Sequence, residues 1–424
     1  MELLSPNSAW SVAAHLPARH PTFMRPYIKL LSHRPARRYF AAFTQSSVGT
    51  GLGYLALLLL AYQRLHSALT VSGVLVADYL PSMVLGAVLG VAVDRLSRRQ
   101  CAALGDVIAA AAFVGLAFAR SLPAVFSLAL LAGVGTALNG PSVMAAMPSL
   151  VRADDMPAAT ALYNAIEKAG FVLGPLIGSL LLVVGGIPLL MVLNGISFLL
   201  SAAVVWTIPF GHAPDRRAVP RSLYADARAG FAALRSLPSV TALVLASGVV
   251  AVCFAAFAMC EVVFATDVFH LSGPGFAALC AVMSVTMTLG SLSGAASHGS
   301  RTARARYFQG MAALGIGLAL IAVAPSLWVV LAGYLIAGYG NGRESVHDRL
   351  LVTELVPDEL RGRVFSLRSS VLSWGAASAI AAGGALVAVV GPRGLIGVAA
   401  IGVLITWALA HSRVRVIGSI SPAY

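Results

Sequence analysis

Apolar runs of about twenty residues follow one another along almost the whole chain, and a helix of that length spans a hydrocarbon layer about 30 Å thick. Of the 424 residues, 58% are hydrophobic and only 11% are charged. A soluble protein of this size needs more polar surface to cover its core. Because the runs show no alternation of period two, barrel strands are not expected. The sequence therefore predicts an all-α membrane protein.

The runs predict twelve transmembrane helices, which a long polar stretch divides into two groups of six. We place the spans near residues 39–61, 69–92, 101–119, 122–144, 159–184, 187–209, 240–265, 275–297, 306–324, 326–346, 364–390 and 393–411. The expected architecture is two pseudo-symmetric six-helix bundles. The segments are a tail at 1–38, bundles at 39–209 and 239–411, a linker at 210–238, and a tail at 412–424. Within the linker, the apolar spacing favours an amphipathic surface helix at 222–236 over a plain solvated connection.

Basic residues orient these helices. With the amino terminus inside, the cytoplasmic tails and loops hold 23 Lys and Arg residues, the outer loops hold three, and three more lie within spans. This asymmetry follows the positive-inside rule, so both termini are expected in the cytoplasm. It also accounts for the net charge of +13 without a nucleic-acid partner. Residues 1–38 lack an apolar signal-peptide core, and Met1 and Met24 are both compatible with the start.

The two halves share landmarks at a nearly constant offset. Gly90 corresponds to Gly294 at an offset of 204, and Asn139 corresponds to Asn341 at an offset of 202. Parallel repeats of this kind are typical of transporters whose halves rock around a site near the midplane of the membrane.

The inner end of span 2 carries a patterned group of residues: Gly90, Asp94, Arg95, Ser97, Arg98 and Arg99. Gly90 lets a neighbouring helix approach closely. Asp94 is suited to accept hydrogen bonds from free N–H groups at the start of another helix. The arginines mark the cytoplasmic side, and on its own the loop is also compatible with a simple topology signal.

This loop resembles the G-x-x-x-D-[RK]-x-G-[RK]-[RK] signature of the major facilitator superfamily, with Ser97 in place of the second glycine. Residues 170–179 (GFVLGPLIGS) are similar to the G-P-x-x-G-G element of proton-coupled exporters in that family. Residues 356–367 (VPDELRGRVFSL) are similar to the segment before span 11 in its drug and siderophore exporters. The resemblance covers about residues 35–412. It implies alternating access by a rocker-switch motion.

The resemblance also implies a gate on the cytoplasmic side. Asp94 would cap span 11 near residues 363–365 when the inner side is closed. The opposing side of this gate is formed by Arg361, Gly362 and Arg363. The acid that the family often places in span 4 is absent, so Asp106 and Asp154 are the candidates to replace it. For Asp106, a structural role is the favoured interpretation.

A further set of residues is predicted to shape the cavity or to hinge its helices. The members are Gly174, Pro175, Gly178, Lys168, Arg343 and Glu344. Pro175 removes one helix hydrogen bond, and the flanking glycines permit close packing; a kinked packing helix without a role in transport direction is the alternative. Lys168 is expected to extend toward the inner surface. The adjacent Arg343 and Glu344 are either a gate pair or an interfacial pair.

Three carboxylates inside predicted spans are candidates for proton coupling, because each costs at least about 2.5–3.5 kcal/mol on insertion scales and requires a reason. Asp78 lies near mid-depth in span 2, Glu167 lies in span 5, and Glu261 lies near the outer end of span 7. Removal from water favours the neutral form of a carboxyl group and enables proton exchange near neutral pH. Asp78 is the first choice. A buried hydrogen-bonded acid is the alternative for Asp78, and a solvated helix end beside Asp267 is the alternative for Glu261.

No nucleotide-binding loop, zinc-protease motif or hydrolase motif occurs in the sequence, so neither a cofactor, a metal nor an enzymatic activity is expected. The four cysteines lack CxxC spacing and favour core positions. The 27 Arg against 2 Lys indicate a GC-rich bacterial genome, hence a bacterial cytoplasmic membrane.

The leading functional hypothesis is a monomeric proton antiporter that exports amphipathic small molecules, including drugs and antibiotics, across the lipid bilayer. A dedicated exporter of one siderophore or metabolite is the first alternative, and a facilitator or uptake carrier is the next. A non-transporting receptor or assembly partner with the same fold is the alternative from another class.

Overall fold

The chain is helical throughout the part that the computed structural model describes, which comprises residues 25–65, 67–84, 98–152, 155–208, 237–293 and 300–418. Within these ranges no strand occurs. The helices of the first half are α1 (Arg25–Ser32), α2 (Arg34–Leu65), α3 (Ala68–Val84), α4 (Arg98–Phe118), α5 (Leu122–Leu150) and α6 (Met156–Thr207). Those of the second half are α7 (Pro238–Val263), α8 (Gly273–Leu292), α9 (Ser300–Val323), α10 (Leu327–Leu355) and α11 (Asp358–Gly418). A π-helical turn, Phe264–Val268, extends α7.

Two glycines interrupt the two longest helices. Gly186 in α6 has φ 66° and ψ −165°, and Gly391 in α11 has φ 70° and ψ 168°. A side chain makes such backbone angles costly, and glycine avoids that cost. Pro188 and Pro392 follow closely and remove helix hydrogen bonds at the same places. Each long helix therefore consists of two segments, divided where the sequence predicts short connections between spans.

The described helices are long and apolar enough to form a membrane protein. Eight of them, within the described ranges, meet the length and hydropathy expected of membrane spans. One of these covers Ala158–Thr207, whose 50 residues are longer than one crossing requires. A shorter apolar helix covers Ala68–Ser82. The predicted all-helical membrane architecture is confirmed. Many helix ends lie near the predicted span ends, but α10 continues to Leu355, well beyond the predicted end at 346.

The sequence predicts residues 25–38 only as part of a cytoplasmic tail, and in the structure they are helical apart from His33. The short helix α1 buries Leu30 among apolar residues at the ends of α5 and α6, including Met147 and Leu150. Lys29 Nζ lies 3.0 Å from Asp155 Oδ1. Because α1 is amphipathic, it buries Leu30 on one side and pairs Lys29 with Asp155 on the other. A helix this short gives too little periodicity to be recognised in the sequence. The predicted linker helix at 222–236 lies outside the described residues.

Helix contacts fall mainly within each half of the chain. In the first half α2 packs on α6, α3 packs on α5, and α4 packs on α5 and α6. In the second half α7 packs on α11, α8 packs on α10, and α9 packs on α10 and α11. The halves meet where α6 packs on α8 and where α3 packs on α11.

Hydrogen bonds connect the halves at both of these contacts. Ser72 Oγ on α3 donates to the carbonyl oxygen of Ile380 on α11 at 2.6 Å and accepts from the N–H of Gly384 at 2.8 Å. Ser284 Oγ on α8 donates to the carbonyl oxygen of Phe171 on α6 at 3.2 Å. The two halves are therefore joined by side-chain hydrogen bonds at both places, between α3 and α11 and between α6 and α8.

Candidate functional site

A cavity of about 350 Å³ lies among the helices of the first half. Helices α2, α3, α4, α5 and α6 all contribute side chains to it. The polar lining consists of Ser47, Thr50, Tyr54, Asp78, Tyr79, Ser82, Thr136, Tyr163 and Glu167. The apolar lining consists of Phe43, Leu57, Phe113, Phe171 and Phe198. We call it the central cavity, and its size fits a small organic molecule.

The central cavity brings together two of the three predicted coupling acids. Asp78 on α3 and Glu167 on α6 both line it, and both are half-buried. Neither carboxylate forms an ion pair with a described side chain. Lys168 lies on α6 beside Glu167, and its side chain is outside the described set. Two carboxylates without a described cationic partner make the cavity acidic, and an acidic cavity attracts cationic molecules.

Aromatic rings form the walls between these acids. Phe43 on α2 stacks on Tyr163 of α6 with ring centroids 4.3 Å apart. Tyr54 on α2 meets Phe171 of α6 edge to face at 6.0 Å. Aromatic faces attract organic cations and pack against apolar groups. These rings could not be predicted from the sequence, because aromatic residues are usual in any packed membrane helix.

The third predicted acid, Glu261, lies elsewhere. Its side chain is 7% exposed and accepts a hydrogen bond from Cys280 Sγ on α8 at 3.5 Å. The solvated helix end considered in the sequence analysis is wrong for Glu261, because the packing of α7 on neighbouring helices buries this face. Asp267, one and a half turns further on, accepts a hydrogen bond from Tyr62 Oη of α2. Glu261 is therefore a buried acid beside α8, outside the lining of the central cavity.

Arg343 and Glu344 do not form a pair with each other. Arg343 donates to Tyr339 Oη at 2.9 Å and to Gln309 Oε1 of α9 at 2.6 Å. Glu344 is buried on another side of α10. Adjacent residues of a helix point about 100° apart, so Arg343 faces α9 while Glu344 faces in another direction. The prediction that Arg343 and Glu344 pair with each other, at a gate or at the interface, is therefore wrong.

A buried ion pair that the sequence analysis missed lies in the second half. Arg368 on α11 pairs with Asp348 on α10, and both side chains are buried. Ser247 Oγ of α7 donates to Asp348 Oδ1 at 2.6 Å. His347 is also buried and its Nδ1 lies 2.6 Å from the carbonyl oxygen of Arg343. The spacing of four residues between Glu344 and Asp348, which places both acids on one helix face, was the available signal.

Most of the predicted gate lies outside the described residues. Gly90, Asp94 and Arg95 fall in 85–97, and Asp154 falls in 153–154. The backbone of Arg98 begins α4. Arg361, Gly362 and Arg363 belong to α11, and their side chains are outside the described set.

Two observations still bear on the gate. Arg99 lies over the ring of Trp206 on α6 at 5.2 Å, so this arginine anchors the start of α4 to the end of α6. Helix α11 begins at Asp358. Free N–H groups occur in the first turn of a helix, which in α11 precedes residues 363–365, and Asp94 itself lies outside the described residues.

Gly174 and Gly178 pack α6 against α2. A Cβ on Gly174 would meet the backbone of Gly51, and a Cβ on Gly178 would meet Leu55 Cδ2 at 2.7 Å. Pro175 lies inside α6 without a break in the helix, and the backbone interruption occurs at Gly186 instead. The glycines therefore serve close packing beside the central cavity, which agrees with the packing alternative weighed for this element.

Replacing Gly174 by Val is expected to destabilise the α2–α6 contact, because the new side chain would meet the backbone of Gly51. Overpacking of this kind typically costs about 1–3 kcal/mol. We expect a lower midpoint of thermal unfolding for the purified variant in detergent. The matched control is Leu173→Val, a change at a neighbouring exposed side chain. Equal midpoints for the two variants would contradict the packing role.

Comparison with known proteins supports this architecture. The family model of the Major Facilitator Superfamily matches residues 39–347. The multidrug efflux pump Tap of Mycolicibacterium fortuitum is 29% identical over 349 residues, which cover 78% of this chain and 84% of that protein. Macrolide efflux protein A of Streptococcus pyogenes is 23% identical over 206 residues, covering 47% and 51%. A solved structure of a mutant nucleoside transporter NupG has a TM-score of 0.70 at 13% identity, covering 89% of this chain and 99% of that one.

The matching family, the efflux relatives and the solved nucleoside transporter are membrane transporters of small molecules rather than enzymes. The chain belongs to the major facilitator superfamily, since the family match covers most of its length. The family predicted from the loop after span 2 is thereby confirmed. Several of its relatives are named as efflux pumps or efflux proteins.

Proposed function

We propose that the protein is a secondary active exporter that exchanges protons for amphipathic small molecules. The observation that carries the proposal is the central cavity, in which Asp78 and Glu167 share one space with Tyr54, Tyr163 and Phe171. The names of the efflux relatives support the direction of transport.

The chemistry of the cavity explains how export and proton entry are coupled. Burial favours a protonated carboxyl group, and a cationic substrate favours the charged form. Proton and substrate therefore compete for the same carboxylate, and Asp78 is the one that we assign to this exchange. The aromatic walls add affinity for the apolar part of the substrate with little selectivity, because rings bind many shapes.

We further propose twelve crossings arranged as two six-helix bundles, with α6 and α11 each contributing two. The two bundles would rock about the contacts between α6 and α8 and between α3 and α11, which opens the central cavity to either side in turn. The distribution of basic residues supports a bacterial cytoplasmic membrane with both termini inside. We expect a monomer, since one chain supplies the whole cavity.

Topology labelling tests the orientation. In Pro220→Cys, the new thiol in the linker is expected to react with a membrane-impermeant maleimide only from the cytoplasmic side. The matched control is Ser121→Cys, at an exposed position between α4 and α5, which is expected to react only from outside. Native Cys101, Cys253 and Cys260 are buried and give little background. Labelling of position 220 only from outside would invert the assignment.

Transport measurements in proteoliposomes test the function. The purified protein is reconstituted with the fluorescent cation ethidium on one side, with and without an imposed pH gradient. A proton-coupled exporter moves ethidium against its gradient only when protons flow the other way. Equal flux with and without the gradient would indicate a facilitator. Absence of flux for ethidium and for a panel of neutral amphipathic compounds would favour a dedicated exporter or a non-transporting protein.

A further inference from the structure

Asp106 on α4 occupies a second, smaller chamber. Its side chain is 2% exposed, and the sequence predicts it only as a replacement for the missing span-4 acid or as a structural residue. The chamber has a volume of about 140 Å³, and its polar lining includes Ser46, Ser47, Thr50 and Ser201. A space of this size has room for several water molecules, and the hydroxyl and carboxyl groups in its lining would hydrogen-bond them.

The carboxyl group of Asp106 has two different oxygen environments. Oδ1 accepts a hydrogen bond from Asn139 Nδ2 at 2.7 Å, and the same amide donates to the carbonyl oxygen of Ala102 at 3.2 Å. Oδ2 is buried and no side chain forms a hydrogen bond of ordinary geometry with it, although the Ser201 hydroxyl faces the carboxyl group. The hydroxyl of Tyr39, which also lines the chamber, is likewise buried without a protein partner. Both atoms lie where chamber water would bond them.

No described cation neutralises Asp106. The groups that face it are Asn139 from α5, Ser201 from α6 and Tyr39 from α2, and Cys101 lies on its own helix. Arg99, also on α4, is engaged over the ring of Trp206. A buried carboxylate without a cation is costly, whereas a neutral carboxyl group fits this arrangement. Oδ1 then serves as the carbonyl acceptor for Asn139, and Oδ2 carries the proton.

The chamber adjoins the central cavity. Ser47, Thr50 and Thr136 line both spaces, together with Phe43 and Phe198. The hydroxyl groups of Ser47, Thr50 and Thr136 on this shared wall, together with water that entered the chamber, would provide donors and acceptors between the two spaces.

We propose that Asp106 is a second proton-binding carboxyl group, which exchanges its proton with the central cavity through water in this chamber. The proposal that Asp106 binds a proton rests only on the burial of Asp106 and the lining of the chamber. Its use in transport rests on the proposed function, where it would hold a proton apart from the substrate that displaces protons from Asp78.

Infrared spectroscopy of the purified full-length protein in nanodiscs tests proton binding directly. A protonated carboxyl group has a carbonyl stretch that carboxylates lack. We expect Asp106→Asn to remove one such band from the spectrum near neutral pH, and transfer of the wild type to D₂O to shift that band as water exchanges the proton. The control Glu354→Gln, at an exposed side chain of α10, is expected to leave the band in place.

A second variant covers the case in which Asp106→Asn does not fold. Asn139→Ala retains Asp106 but removes the donor to Oδ1, so the band is expected to move to higher frequency. An unchanged spectrum in both variants, or a band that never exchanges in D₂O, would overturn the proposal. If the band is present but pH-driven export is absent, the proton site at Asp106 is supported and the proposed function is contradicted. Export without the band would overturn this site alone.

Discussion

Replacing Asp78 by Asn is expected to abolish pH-driven uphill transport of ethidium in proteoliposomes. The amide has the size of the protonated acid but neither binds nor releases a proton, so the competition between proton and cation at this position is lost. Downhill exchange of a neutral amphipathic substrate, which does not need the charge, is expected to survive. The measurement is accumulation of substrate against its gradient under an imposed pH difference.

The control for Asp78→Asn is Glu354→Gln, which removes an exposed carboxylate outside the central cavity. It is expected to transport as the wild type does. Full uphill transport by Asp78→Asn would move the coupling role to another acid. Glu167 would then be the first candidate, because it lines the same cavity, and the buried Glu261 the second.

Replacing Arg368 by Met is expected to destabilise the second half strongly. Asp348 would remain buried with only Ser247 as its hydrogen-bond donor among the described contacts. Removing one partner of a buried ion pair typically costs about 3–5 kcal/mol. The free energy of unfolding, or the midpoint of thermal unfolding in detergent, is the quantity to measure.

The double variant Arg368→Met with Asp348→Asn separates charge from packing. It removes the unpaired charge, so most of the lost stability is expected to return. Arg152→Met serves as the control, because Arg152 is exposed at the end of α5. A loss for Arg368→Met no greater than that for Arg152→Met would contradict a structural role for the ion pair.

The helices could be predicted from the sequence because the physics of a membrane span is local. A run of apolar residues of sufficient length specifies a helix wherever it occurs. The interruptions at Gly186 and Gly391 fall where the predicted spans are divided, between 184 and 187 and between 390 and 393. The short helix α1 was missed because its stability depends on Leu30 and on the pairing of Lys29 with the distant Asp155.

Individual residues of the site could be predicted from the sequence, but their positions relative to one another could not. Burial cost alone selected Asp78 and Glu167, yet their shared cavity depends on how α3 and α6 are placed by other helices. Arg343 was assigned to the wrong partner because sequence adjacency says nothing about which neighbouring helix each side chain faces. Arg368 and Asp348 lie on different helices, so their pairing could not be predicted from local sequence. The only indication in the sequence was the spacing of four residues between Glu344 and Asp348.

Proton release on substrate binding tests the central claim most directly. Ethidium is added to the purified protein in weakly buffered detergent solution near neutral pH, and the change in pH is followed with an indicator dye. We predict that the wild type releases protons in proportion to the ethidium bound, and that Asp78→Asn releases fewer at equal occupancy. Binding of ethidium to the wild type without any proton release would contradict competition between proton and substrate in the central cavity.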